Sequence, residues 1–162
     1  MFVSYEKEHH EVSALISKRD SLEVVYKNVP FDEIIRVGET SLKKLDSVMK
    51  MLESKKIELK KEDGIFLGRY RGISKPFRKM DKTQYKLEYD LKFSKDQLVD
   101  LEKDISNKAL PKDSVSIFLK DESKALEVIE SNLTQLLNTK DLMVEEFEKN
   151  EAQINELISS LN

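Results

Sequence analysis

The side chains with most scope for chemistry are few. His9 and His10 are the only histidines, and Glu6 precedes them by three and four positions, so on a helix Glu6 and one imidazole would share a face as two metal ligands. A structural zinc takes four protein ligands and a catalytic one takes three with a water. No histidine follows His10 to complete such a set, or a helical diiron site built on paired Glu-x-x-His motifs. No metal and no other cofactor is expected. The absence of Cys removes thiolate nucleophiles, Cys-ligated zinc, iron–sulfur clusters and disulfides, while G-x-S-x-G and G-x-x-x-x-G-K motifs are also missing. An enzyme is not expected.

A second group of residues has a different character. Residues 60–82 hold 8 basic and 3 acidic side chains, whereas 83–162 hold 10 and 17, and 1–59 hold 10 and 11. The local charge of +5 sits in a chain of net charge −3, and its cations are interleaved with Phe66, Tyr70 and Phe77. Guanidinium groups chelate carboxylates and phosphates, and an exposed ring anchors a partner or stacks on a base. Arg69, Tyr70, Arg71, Lys75, Arg78 and Lys79 are therefore the candidate binding residues. A purely structural role competes with this one: Phe66, Leu67 and Phe77 would plug the end of a bundle, and the cations would pair with the acidic fourth helix. An unidentified protein partner fits the composition better than nucleic acid, whose sequence-specific binders carry a larger basic excess.

These residues must be positioned by helices. The 162 residues are 36% charged and 39% hydrophobic, enough for an all-α core, and the 4 Gly and 3 Pro cluster at a few places. Between them, apolar residues recur at alternating steps of three and four. Tyr5, Val12, Leu15, Leu22, Tyr26 and Val29 form the first series, with Arg19 as a polar intruder. Ile34, Gly38, Ser41, Leu45, Val48 and Leu52 continue a second. Leu87, Leu91, Leu98, Leu101 and Ile105 belong to a third, with Gln84 and Ser94 in two of its slots. Val115, Phe118, Ala125, Ile129, Leu136, Met143, Phe147, Ile154, Leu157 and Leu161 make the fourth and longest.

The pattern predicts a single domain over 1–162, an elongated antiparallel helical bundle or coiled coil of three to four long helices. They span about 4–28, 30–62, 76–108 and 113–161. Asp63-Gly64 would stop the second helix and 63–75 would be a loop, Gly and Pro being poor in helix interiors. Asn28-Val29-Pro30 is either a kink or a reversal into a short hairpin, with reversal favoured. The far end of the last helix, from Phe147 to Leu161, then needs cover from the first helix or from a second copy of the chain. No apolar run approaches the roughly 20 residues that cross a bilayer.

Gly68-Arg69-Tyr70-Arg71-Gly72, Lys75-Pro76-Phe77-Arg78-Lys79 and Val29-Pro30-Phe31-Asp32-Glu33, with the helices around them, resemble uncharacterised helical proteins of bacteria that are exported and often lipid-tethered. The resemblance implies a helical shape and a periplasmic or cell-surface location, and it transfers no catalytic residue. The sequence shows neither a secretory leader nor a lipid-attachment Cys, so an exported form would carry more chain ahead of Met1. The expected function is a non-catalytic binding or scaffolding module that works through protein–protein contacts. Binding of nucleic acid or another acidic ligand by 60–82 is the alternative.

Overall fold

Five helices hold most of residues 4–162, which the computed structural model describes: α1 (Glu6–Lys27), α2 (Phe31–Lys55), α3 (Lys61–Arg78), α4 (Met80–Ser106) and α5 (Lys112–Leu161). No strand occurs among the described residues, so the fold is an all-α helical bundle as the periodicity predicts. No described helix is long and apolar enough to cross a membrane. The contacts group the helices into two compact units, residues 1–29 with 82–136 and residues 30–81 with 137–162.

In the first unit α1 packs with α4 and the first half of α5. Tyr5 Oη donates to the Leu110 carbonyl at 3.0 Å and Arg19 Nε to the Leu91 carbonyl at 3.0 Å, so α1 and α4 are antiparallel. Glu8 lies 3.8 Å from Lys112, and Lys18 lies 2.9 Å from Glu130, so α1 runs with α5. Val12, Leu87, Leu98, Ile105, Val115, Leu126 and Ile129 are nearly inaccessible to water at its centre. The expected slots hold except in α5, where Phe118 and Ala125 are exposed and Leu119 and Leu126 are buried. A heptad count drifts against the 3.6-residue turn, and here it slips by one position.

The second unit packs α2, α3 and the second half of α5. Lys44 Nζ lies 3.3 Å from Glu151, and Lys55 Nζ donates to the Leu161 carbonyl, so α2 and α5 are parallel. The Phe77 ring lies against Gly38 and Tyr70 pairs with Ser41, so α3 returns antiparallel to α2. Within this unit the hairpin partner of α2 is α3. Phe147, Ile154, Leu157 and Leu161 are buried within this unit. The end of α5 needs no second copy to cover it.

The largest correction is at 63–75, which is the body of α3 and not a loop. Three glycines in a helix cost about 3 kcal/mol relative to alanine. Phe66, Leu67 and Tyr70 are all at least 94% buried, each contributing on the order of 2–3 kcal/mol on burial, which outweighs that cost. Gly64, Gly68 and Gly72 fall on the opposite, exposed face. Pro76, inside the last turn, has no N–H for the Gly72 carbonyl, and both residues are exposed, so water is free to take that bond.

Candidate functional site: the outward face of α3

Residues Phe66, Tyr70, Ser74 and Phe77 recur at steps of four, four and three, and they turn one side of α3 towards α2 and α5. Leu67 is buried beside them, and most of the remaining positions point to solvent. Lys61, Gly64, Ile65, Gly68, Arg69, Arg71, Gly72, Lys75, Arg78 and Lys79 are all exposed. Down the middle run the three glycines, four residues apart, with no atom within 4 Å of where a Cβ would stand. Arg71, Lys75 and Arg78 flank this strip on one side and Arg69 on the other, by the 100° step of the helix.

Five of the six predicted residues therefore share one surface. Arg69, Arg71, Lys75 and Arg78 enter none of the ion pairs among the described residues, so the pairing expected with the acidic part of the chain does not form for them. Lys79 caps the end of α3 and its backbone N–H reaches the Pro76 carbonyl.

Tyr70 is the exception and corrects the sequence reading. It is 2% exposed, with its ring 5.9 Å from that of Phe66 and 5.4 Å from that of Phe147. Burial holds its hydroxyl above the usual tyrosine pKa, opposed by a hydrogen bond with Ser41 and reinforced by the charge of Glu151. It is a core anchor that fixes α3, and it cannot stack on a ligand. Phe66 and Leu67 are likewise interior, as the structural role anticipated.

Other polar clusters offer less. A cleft of about 190 Å³ in the second unit is lined by Arg36, Thr40, Lys44, Glu148 and Glu151, and there Lys44 and Glu151 already neutralise one another at 3.3 Å. Among the described residues no three His, Asp or Glu side chains stand close enough to hold a metal ion. His10 and Glu6 line an open depression with Lys7, Glu11 and Lys112.

Periodicity passes over one further feature. Tyr85, Tyr89 and Phe93 of α4 are 73%, 57% and 52% exposed, on the side of α4 away from Leu87, Leu91 and Leu98. Their spacing of four was visible in the sequence, out of phase with the leucines. Comparison of the chain with family models, curated proteins and solved structures finds no match in any of the three. What the fold and surface define is an all-α bundle protein with a cationic helix face turned to solvent.

Proposed function

We propose that the protein is a non-catalytic binding module and that the outward face of α3 engages an acidic surface of a protein partner. The observation that carries this is the set of four exposed cations, Arg69, Arg71, Lys75 and Arg78, on one ordered helix, with no carboxylate among the described residues to satisfy them. A rigid helix holds guanidinium groups at fixed spacing, so bidentate pairing with carboxylates costs less ordering than it would from a loop. The glycine strip adds to this. With no side chain on Gly64, Gly68 or Gly72, a partner backbone can approach α3 closely, and glycines whose Cβ positions meet nothing within 4 Å are otherwise a cost to helix stability.

The test is titration of the full chain with a fluorescent Glu-rich helical peptide, and separately with a single-stranded RNA of equal charge, at 20 and 200 mM salt as chosen conditions, roughly bracketing the range over which surface electrostatics is screened. Binding to the peptide that falls with salt, and falls at least about tenfold when Arg69, Arg71, Lys75 and Arg78 become Ala, is expected. No binding to either probe at low salt, or binding indifferent to the four substitutions, would contradict it. Preference for the RNA would shift the function to nucleic acid, with a salt slope that counts the phosphates contacted.

A further inference from the structure

The first unit carries a second surface, independent of α3. Tyr85, Tyr89 and Phe93 leave more than half of each side chain in water, and the Tyr89 and Phe93 rings are stacked, 6.1 Å apart with 10° between their planes. Three such rings expose roughly 300–400 Å² of largely apolar surface, enough to mark an interaction site. No described residue of the first unit covers them.

The charges around this stripe identify its partner. Lys82 stands at its N-terminal end and Asp96 and Asp100 at its C-terminal end. All three are exposed and enter no ion pair among the described residues. We propose that α4 pairs with α4 of a second copy of this chain, antiparallel, about a two-fold axis at the level of Leu91. In that register Tyr89 meets Phe93 of the second copy, Lys82 meets Asp100, and Lys86, which pairs with Asp90 of its own helix at 2.6 Å, stands opposite Asp96, each contact occurring twice as an isologous interface requires. No position between 82 and 100 then faces a like charge. An in-register parallel pairing instead sets Lys82 on Lys82 and Asp100 on Asp100 and brings no opposite charges face to face, so the antiparallel pairing is favoured.

The size of the contact sets its strength. Nineteen residues of one helix extend about 27 Å, and a single helix pair of that length buries on the order of 1,000 Å² in total. This is the weak end of specific association, and a dissociation constant on the order of 10–100 µM is expected.

The experiment is sedimentation equilibrium of the full chain across that concentration range, with far-ultraviolet dichroism at 222 nm confirming that each variant keeps its helix content. The wild type should pass from monomer to dimer. Tyr89→Glu/Phe93→Glu should stay monomeric, and Lys82→Glu alone or Asp100→Lys alone should weaken association at least about tenfold. The double exchange Lys82→Glu/Asp100→Lys restores both pairs only if residues 82 and 100 face each other, so it should return association to near the wild-type level. A chain that stays monomeric throughout, a dimer unaffected by Tyr89→Glu/Phe93→Glu, or a double exchange no better than the single ones would each overturn the proposal.

Discussion

Arg19 Nε donates to the carbonyl oxygen of Leu91 at 3.0 Å, across the antiparallel contact of α1 and α4. The guanidinium is 4% exposed, and its Nη1 also reaches Asp20 at 3.0 Å and Glu23 at 2.6 Å. A polar residue in an apolar slot is thus satisfied by one main-chain acceptor inside the unit and two carboxylates at its edge. It also sets which turn of α4 lies beside which turn of α1.

Arg19→Ala removes both the hydrogen bonds and the packed aliphatic stem, and should destabilise the first unit by about 2–3 kcal/mol. Arg19→Met keeps the stem and should cost about half as much. The hydrogen bond with Arg19, with its positive charge and that of Lys27, holds the Glu23 carboxyl below its ordinary value of 4.5 despite some desolvation. A depressed folded-state pKa contributes stability above the unfolded value and loses it as pH falls through the folded one. Urea unfolding at pH 6 and pH 3 should therefore show a smaller acid loss in Arg19→Met than in the wild type.

Glu122 has the opposite sign. It is half-buried in the first unit, where burial and then the charge of Asp121 raise its carboxyl above 4.5. A raised folded-state pKa gives stability that is complete below the unfolded value and is lost as pH rises through the folded one. Glu122→Gln should therefore be more stable than the wild type at pH 7, and the gap should close below pH 4.5, as read from urea midpoints.

Two glycines distinguish the inside of the second unit from its outside. A Cβ at Gly38 would collide with the Phe77 ring, whereas one at Gly68 would meet nothing within 4 Å. Gly38→Ala should destabilise by about 1–3 kcal/mol through overpacking. Gly68→Ala should stabilise by about 1 kcal/mol through helix propensity alone. If the glycine strip admits a partner backbone, Gly68→Ala should at the same time weaken binding of the Glu-rich peptide. Paired denaturation and peptide titration read both effects.

Helix ends show where local sequence signals and tertiary packing part. α2 ends with Lys56 in the left-handed region at φ 51°, with the Ile57 N–H bonded to the Leu52 carbonyl at 3.2 Å. α4 ends in the same way at Lys108, φ 51°, with the Ala109 N–H on the Asp104 carbonyl at 2.9 Å. Both positions suit glycine, and Lys56→Gly or Lys108→Gly should each raise the thermal midpoint, by a stabilisation of about 1 kcal/mol.

The all-α class, the starts of α1, α2 and α5, and most of the buried slots were legible because leucine-rich periodicity and Pro30 report them directly. α3 was not, because its glycines lie where helix-breaking residues are tolerated, on a face that packs against nothing, while the real stops at Lys56 and Lys108 carry no glycine at all. The cations of the candidate site were legible from local charge. Tyr70 was misassigned because only the three-dimensional register of α3 separates its inward ring from the outward Arg69 and Arg71. The aromatic stripe on α4 was hidden by the leucine stripe opposite it.

The most direct test of α3 as an ordered helix with a free binding face uses the absence of native Cys. Single cysteines at Gly68 and Gly72, and at Phe66 and Ser74, are labelled with a thiol reagent, with and without the Glu-rich peptide. Positions 68 and 72 should react fast and be slowed by the peptide, while 66 and 74 stay slow in both conditions. Equal rates at all four positions, or no slowing at 68 and 72 when the peptide is bound, would contradict it.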